Sequence, residues 1–195
     1  MTFKNKHLSL LGDLLRQVNV AGSRISIGDG PNALEAMSIR LANLFNGDDI
    51  ELRLIPLDQI DTLLSAGEEN DVADFDDDPD LLMLRMDAAL PLAYDPAKLE
   101  TLITCLSVIN SSIPFGAVIA HPTERSVSFH YTAICNKALF DAGMILELIR
   151  MLEFYFAMMA HPLRFALESA LSPQAILEQV QEFVTAMMSP TETGG

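Results

Sequence analysis

The sequence predicts an α+β fold, an antiparallel sheet with helices packed on it. Three stretches carry that prediction. Residues 116–133 read as a hairpin, with GAVIAH, a polar turn at Pro122-Thr-Glu-Arg125, and SVSFHYTA, in which Val127, Phe129 and Tyr131 alternate with Ser128 and His130. Residues 81–90 alternate in the same way, with Leu82, Leu84, Met86 and Ala88 on one face and Met83, Arg85 and Asp87 on the other. Residues 141–160, DAGMILELIRMLEFYFAMMA, are apolar apart from Asp141 and from Glu147, Arg150 and Glu153 at i, i+3 and i+6. That spacing places the three charges on one narrow stripe, so the helix is buried over most of its circumference. Its length would suit a membrane span. Three charges near its middle, at about 2.5–3.5 kcal/mol each, exclude that reading.

From the N-terminus, Leu8, Leu11, Leu15 and Val18 recur at helical spacing and predict a first amphipathic helix over about 6–18, with Gly22 marking the end of that segment. The lysines of MTFKNKHLSLLGDLL resemble a signal peptide, but Gly12-Asp13 interrupts the apolar run and no cleavage site follows. Residues 34–44 admit two readings. Met37, Ile39 and Leu41 alternate with polar or small residues, and Asn46-Gly47 ahead of the next strand completes a hairpin. Alternatively, Ala33, Met37, Leu41 and Leu44 form a helical face of good helix formers. Ile50, Leu52 and Leu54 alternate with Glu51, Arg53 and Ile55 as a strand closed by Pro56.

The stretch 67–80, GEENDVADFDDDPD, holds eight acidic residues and predicts a solvated loop or disordered insertion. Pro96 suits the first turn of a helix, and Leu99, Leu102, Ile103 and Leu106 mark that helix to about Ile109. His161-Pro162 is expected to end or kink the long helix, with a short helix following over about 162–171. Ser172 as N-cap and Pro173 at the first helical position open a last helix, with Ile176, Leu177, Val180, Phe183, Val184 and Met187 on one face. Residues 1–188 are expected to form one domain and 189–195 a flexible tail.

Composition limits function. The 195 residues carry a net charge of −15, yet half of them are hydrophobic, the pI is about 4.4 and the mean hydropathy is +0.26. An acidic exterior with surplus apolar surface points to self-association. It also disfavours nucleic acid and anionic membrane as partners. The cysteines, Cys105 and Cys135, form no CxxC pattern and suit a reducing cytoplasm.

Few motifs suggest chemistry. GDGPNA at 28–33 fits the dinucleotide fingerprint, with Gly28, Gly30 and Ala33 at a phosphate and Asp48 or Asp49 about 20 residues on. The chain lacks the repeated strand–helix units of a doubly wound sheet, and Gly-Asp-Gly-Pro is also ordinary turn chemistry. Asp74, Asp76, Asp78 and Asp80 alternate as in a calcium loop, but Pro79 stands where glycine is needed and Arg85 where glutamate is needed. His7, His121, His130 and His161 show no metal-ligand spacing, and His130 with Cys135 is the one conceivable nucleophile pair. No catalytic residue, cofactor or metal is predicted.

The long helix is more informative. Ile145, Leu148, Ile149, Leu152, Phe156 and Met159 share a broad face fit to cover a sheet, while Met151, Phe154 and Met158 lie on the opposite, charged side. Either the trailing helices bury that second face within one subunit, or it is a subunit or partner interface, where aromatics and methionine are favoured.

In LLMLRMDAALPL, LETLITCLSVINSSIPFG, AVIAHPTERSVSFHYTA and MILELIRMLEFYFAMM, with Asn110 and the Phe115-Gly116 step before the hairpin, residues 80–170 resemble the YbjN-like / type III secretion chaperone-like family of bacterial proteins. The resemblance implies the order α-βββ-α-ββ-α, here with added C-terminal helices, and so favours the hairpin reading of 34–57. It also implies a small acidic cytoplasmic homodimer that binds a protein client or regulatory partner and is not an enzyme. The alternative, from another class, is a small nucleotide-binding enzyme using the 28–33 turn.

Overall fold

The computed structural model describes residues 5–29, 33–45, 47–57 and 81–188. The fold is α+β. Helix α1 (Lys6–Gln17) precedes strands β1 (Gly22–Ile27), β2 (Leu34–Phe45), β3 (Asp48–Pro56) and β4 (Leu81–Ala93), followed by helix α2 (Leu99–Ser112), β5 (Ala117–His121), β6 (Ser126–Asn136), α3 (Ala142–Glu168) and α4 (Pro173–Met188). The strands form one six-stranded antiparallel sheet in the order β1-β2-β3-β4-β6-β5. Among the described residues, four strands precede α2, one more than in the order α-βββ-α-ββ-α. Beyond the strands expected at 34–57 and 81–90, β1 is the further one. The acidic stretch 67–80 and the tail 189–195 lie outside the described residues.

The chain groups into two compact units. One comprises Met1–Arg40, Glu51–Asp87 and Tyr131–Arg150; the other comprises Leu41–Ile50, Ala88–His130 and Met151–Gly195.

In the first unit, α1 forms because Leu8, Leu11 and Leu15 recur on one face, and all three are buried. Asn5 caps it, its side-chain oxygen accepting from the amides of His7 at 2.9 Å and Leu8 at 3.2 Å. Val18, expected on the buried face, is instead the exposed C-cap. Glu35 of β2 accepts from the Asn5 amide at 2.7 Å and pairs with Arg24 of β1 at 2.8 Å. This buried carboxylate ties the start of α1 to the sheet edge. Residues 34–45 are strand, which settles the ambiguity of this segment. Their helix-forming composition loses because pairing places Met37 and Ile39 in the core. Gly47, at φ +94°, stands in the turn that leads into β3. Leu34, Ala36 and Ile55 form a second small cluster with Ile25 and Ile27. Burial on both faces is why the alternation of β2 was blurred in the sequence.

In the second unit, α2 packs against β5 and α4. Thr101, Leu102, Cys105, Leu106 and Ile109 make its buried stripe. Ile103, counted on that face from the sequence, is 50% exposed. Val118, Val127 and Phe129 of the β5–β6 hairpin face the core, and Phe129 meets Phe156 edge to face at 5.3 Å. Helix α4 opens at Ser172, whose hydroxyl accepts from the Ala175 amide at 3.3 Å. It buries Ile176, Val180 and Val184.

Pro162 does not end α3, and the separate short helix expected over about 162–171 is not present. The helix runs through it to Glu168. An interior proline costs about 3 kcal/mol. On either side of it, Met159, Ala160, Leu163 and Ala166 are buried, and each large apolar side chain so placed contributes about 1.5–3 kcal/mol. Packing outweighs the local penalty.

Candidate functional site

Helix α3 presents two unlike faces. Ile145, Ile149, Leu152, Phe156 and Met159 are buried as expected, and Leu146 joins them, while Leu148 is only half-buried. On the other side, Met151 is 42% and Phe154 62% exposed. Phe154 touches Tyr155 at a centroid distance of 5.5 Å, and Tyr155 touches Phe115 at 5.9 Å, both edge to face. A short aromatic row thus crosses from α3 to the segment before β5. Met158, two turns beyond Met151, is half-buried. It lines a narrow apolar crevice with Ile109, Tyr155, Met159, Pro162 and Val184. Met151 and Phe154 therefore share an open surface, and Met158 sits where α2 and α4 rise around the helix.

The edge strand β5 is capped by a side chain at Val118. Asn110 of α2 donates through Nδ2 to the Val118 carbonyl at 2.9 Å and accepts at Oδ1 from the Val118 amide at 2.8 Å. The carboxamide reproduces the pairing that a neighbouring strand would offer, which blunts the edge against strand addition. Gly116 has φ +74°, and a Cβ there would lie 2.5 Å from the Phe129 ring. Close approach of backbone to ring requires glycine at this step. Asn110 and Gly116, two of the three residues set off by the family resemblance, thus have local structural roles.

The hairpin places three polar side chains together that the sequence had left apart. Ala117 pairs with His130, Ile119 with Ser128 and His121 with Ser126, so Ser128, His130 and His121 share one face of the β5–β6 pair. The Ser128 hydroxyl lies 2.5 Å from His121 Nε2 and 2.7 Å from His130 Nε2. The two histidines are distant in the chain and are brought together across strands. Ser128 and His130 at i and i+2 were the one visible signal.

The other candidates come apart. Ile27 pairs with Leu34 in antiparallel register, so residues 28–33 join two strands of a hairpin. The dinucleotide fingerprint needs a strand leading into a helix. Gly28 takes φ +85° as turn chemistry requires. Ala33 is half-buried beside the strand start, and Gly30 lies outside the described residues, as do Asp74, Asp76, Asp78 and Asp80. His130 and Cys135, an odd number of residues apart on β6, point to opposite faces. The Cys135 thiol donates to the Leu82 carbonyl, and burial pushes both the Cys135 and the Cys105 thiol up, away from the reactive thiolate. Among the described residues no group of three or more His, Cys, Asp or Glu side chains could hold a metal ion. No helix among them is long and apolar enough to cross a membrane.

No protein-family model matches this sequence, and no curated protein shows significant similarity to it.

Proposed function

We propose that this chain is a non-enzymatic protein-binding module, chaperone-like or regulatory, that acts as a cytoplasmic homodimer through the outward face of α3. The observation that carries this reading is the exposure of Met151 and Phe154 on a helix whose opposite face is buried apart from the half-buried Leu148. Large aromatic and methionine side chains are enriched at protein interfaces and depleted of reasons to face water. A two-fold axis across α3 would set Met151 and Phe154 of one copy against Phe154 and Met151 of the other, the self-complementary arrangement of an isologous dimer. Stable interfaces bury roughly 1,200–2,000 Å², so this pair supplies the centre of a larger contact. The high apolar content at a net charge of −15 agrees with such a covered surface. Asn110 on Val118 disfavours a client strand added at that point of β5, so a client would be read through side chains. Free, buried or half-buried cysteines suit the cytoplasm.

Light scattering coupled to size-exclusion chromatography tests this directly. The expected result is a dimer at micromolar concentration that Phe154→Glu shifts toward monomer with unchanged far-UV circular dichroism. A strict monomer for the unsubstituted protein refutes the reading, and unfolding of Phe154→Glu would assign Phe154 to the subunit core.

A further inference from the structure

From the His121–Ser128–His130 cluster we infer a binding site for a divalent transition-metal ion of the class imidazole prefers, such as Zn²⁺ or Ni²⁺. Two ring nitrogens aim at one oxygen, 2.5 and 2.7 Å away. The rings are not stacked. Their planes stand at 81° with centroids 5.9 Å apart, so their edges converge on a shared point. Neutral imidazole nitrogen binds these ions at about 2.0–2.1 Å. Both nitrogens already face one shared oxygen, so an ion that displaces it meets two imidazoles, and rotation of the rings brings each to ligand distance.

The chemistry of the cluster permits the exchange. A hydroxyl has one proton, so in the neutral cluster Ser128 donates to one imidazole and accepts from the Nε2–H of the other. Binding needs a lone pair on both Nε2 atoms. The protonated one moves its hydrogen to Nδ1, the serine hydroxyl turns away as a weak oxygen ligand or a neighbour, and water fills the remaining positions. All three side chains are half-buried rather than sealed, so the ion and its waters have access. The net charge of −15 favours cations over anions around the protein. Carboxylate and water would suit Mg²⁺ or Ca²⁺, whereas a site whose centre is two imidazoles selects the softer ions.

Isothermal titration of the full chain with NiCl₂ and with ZnCl₂, against MgCl₂ as control, reads the proposal. The expected result is one saturable site for Ni²⁺ and Zn²⁺ and none of that stoichiometry for Mg²⁺. Losing a side chain that merely orients a metal-binding histidine already costs about 10- to 100-fold in affinity, so His121→Ala and His130→Ala are each expected to weaken binding by at least that factor. The unsubstituted protein supplies a second reading that does not depend on any variant folding. Ni²⁺ should broaden the ring resonances of His121 and His130 before those of His7 and His161. Absence of saturable binding, equal affinity in the folded variants, or broadening centred elsewhere overturns the assignment and leaves the cluster a hydrogen-bonded surface feature.

Discussion

Phe154 and Phe156 stand two residues apart on α3 in opposite environments. Phe156 has no exposed surface and meets Phe129, whereas Phe154 is 62% exposed and meets the half-buried Tyr155. Side chain and backbone are the same, so the difference lies in what the rest of the second unit sets against each side. The inward ring is part of the fold's stability. The outward ring costs solvation in a lone subunit, and covering it is a reason to associate.

The sharpest break is on the inward side. Phe156→Ala should lower unfolding free energy by about 3–5 kcal/mol in a denaturant titration, because a fully buried ring leaves a cavity that the sheet cannot close. Gly116→Ala tests the wall behind the same aromatic pair. The added Cβ meets the Phe129 ring at 2.5 Å and the backbone is held at φ +74°, so a loss of about 1–3 kcal/mol from overpacking is expected, with strain from positive φ added to it. Asn110→Ala should come next. It removes two hydrogen bonds, each worth about 0.5–1.5 kcal/mol, and frees the Val118 edge, so light scattering should show rising self-association as well as lower stability. Smallest on the stability scale is Phe154→Glu, expected within roughly 0.5 kcal/mol for the isolated subunit, as for surface substitutions generally. Its effect belongs in oligomer size. Should it cost as much as Phe156→Ala, the contrast between the two faces would collapse.

Much of the candidate site was legible. Period-2 alternation separated Leu82, Leu84 and Met86 from Met83, Arg85 and Asp87, and the buried set is as read. Period 3.6 set Leu152, Phe156 and Met159 against Met151 and Phe154, because the azimuth of a helical side chain depends only on its position in the chain. Those properties are local, and local geometry is what a sequence determines by itself. It placed the two faces of α3, the β5–β6 hairpin and the Ser172 cap.

What a face meets is not local. Whether residues 34–45 became helix or strand depended on the strands available to pair with them, and whether α3 survived Pro162 depended on the burial of Met159, Leu163 and Ala166 outweighing one lost hydrogen bond. Met158 shares the azimuth of Met151 and Phe154, yet neighbouring α2 and α4 partly cover it. Ile103 looked like core from its spacing and faces water. His121, Ser128 and His130 meet only because the register of β5 on β6 brings distant residues to one row. In each case the deciding energy comes from contacts between segments far apart in the chain, so only the tertiary structure could supply it.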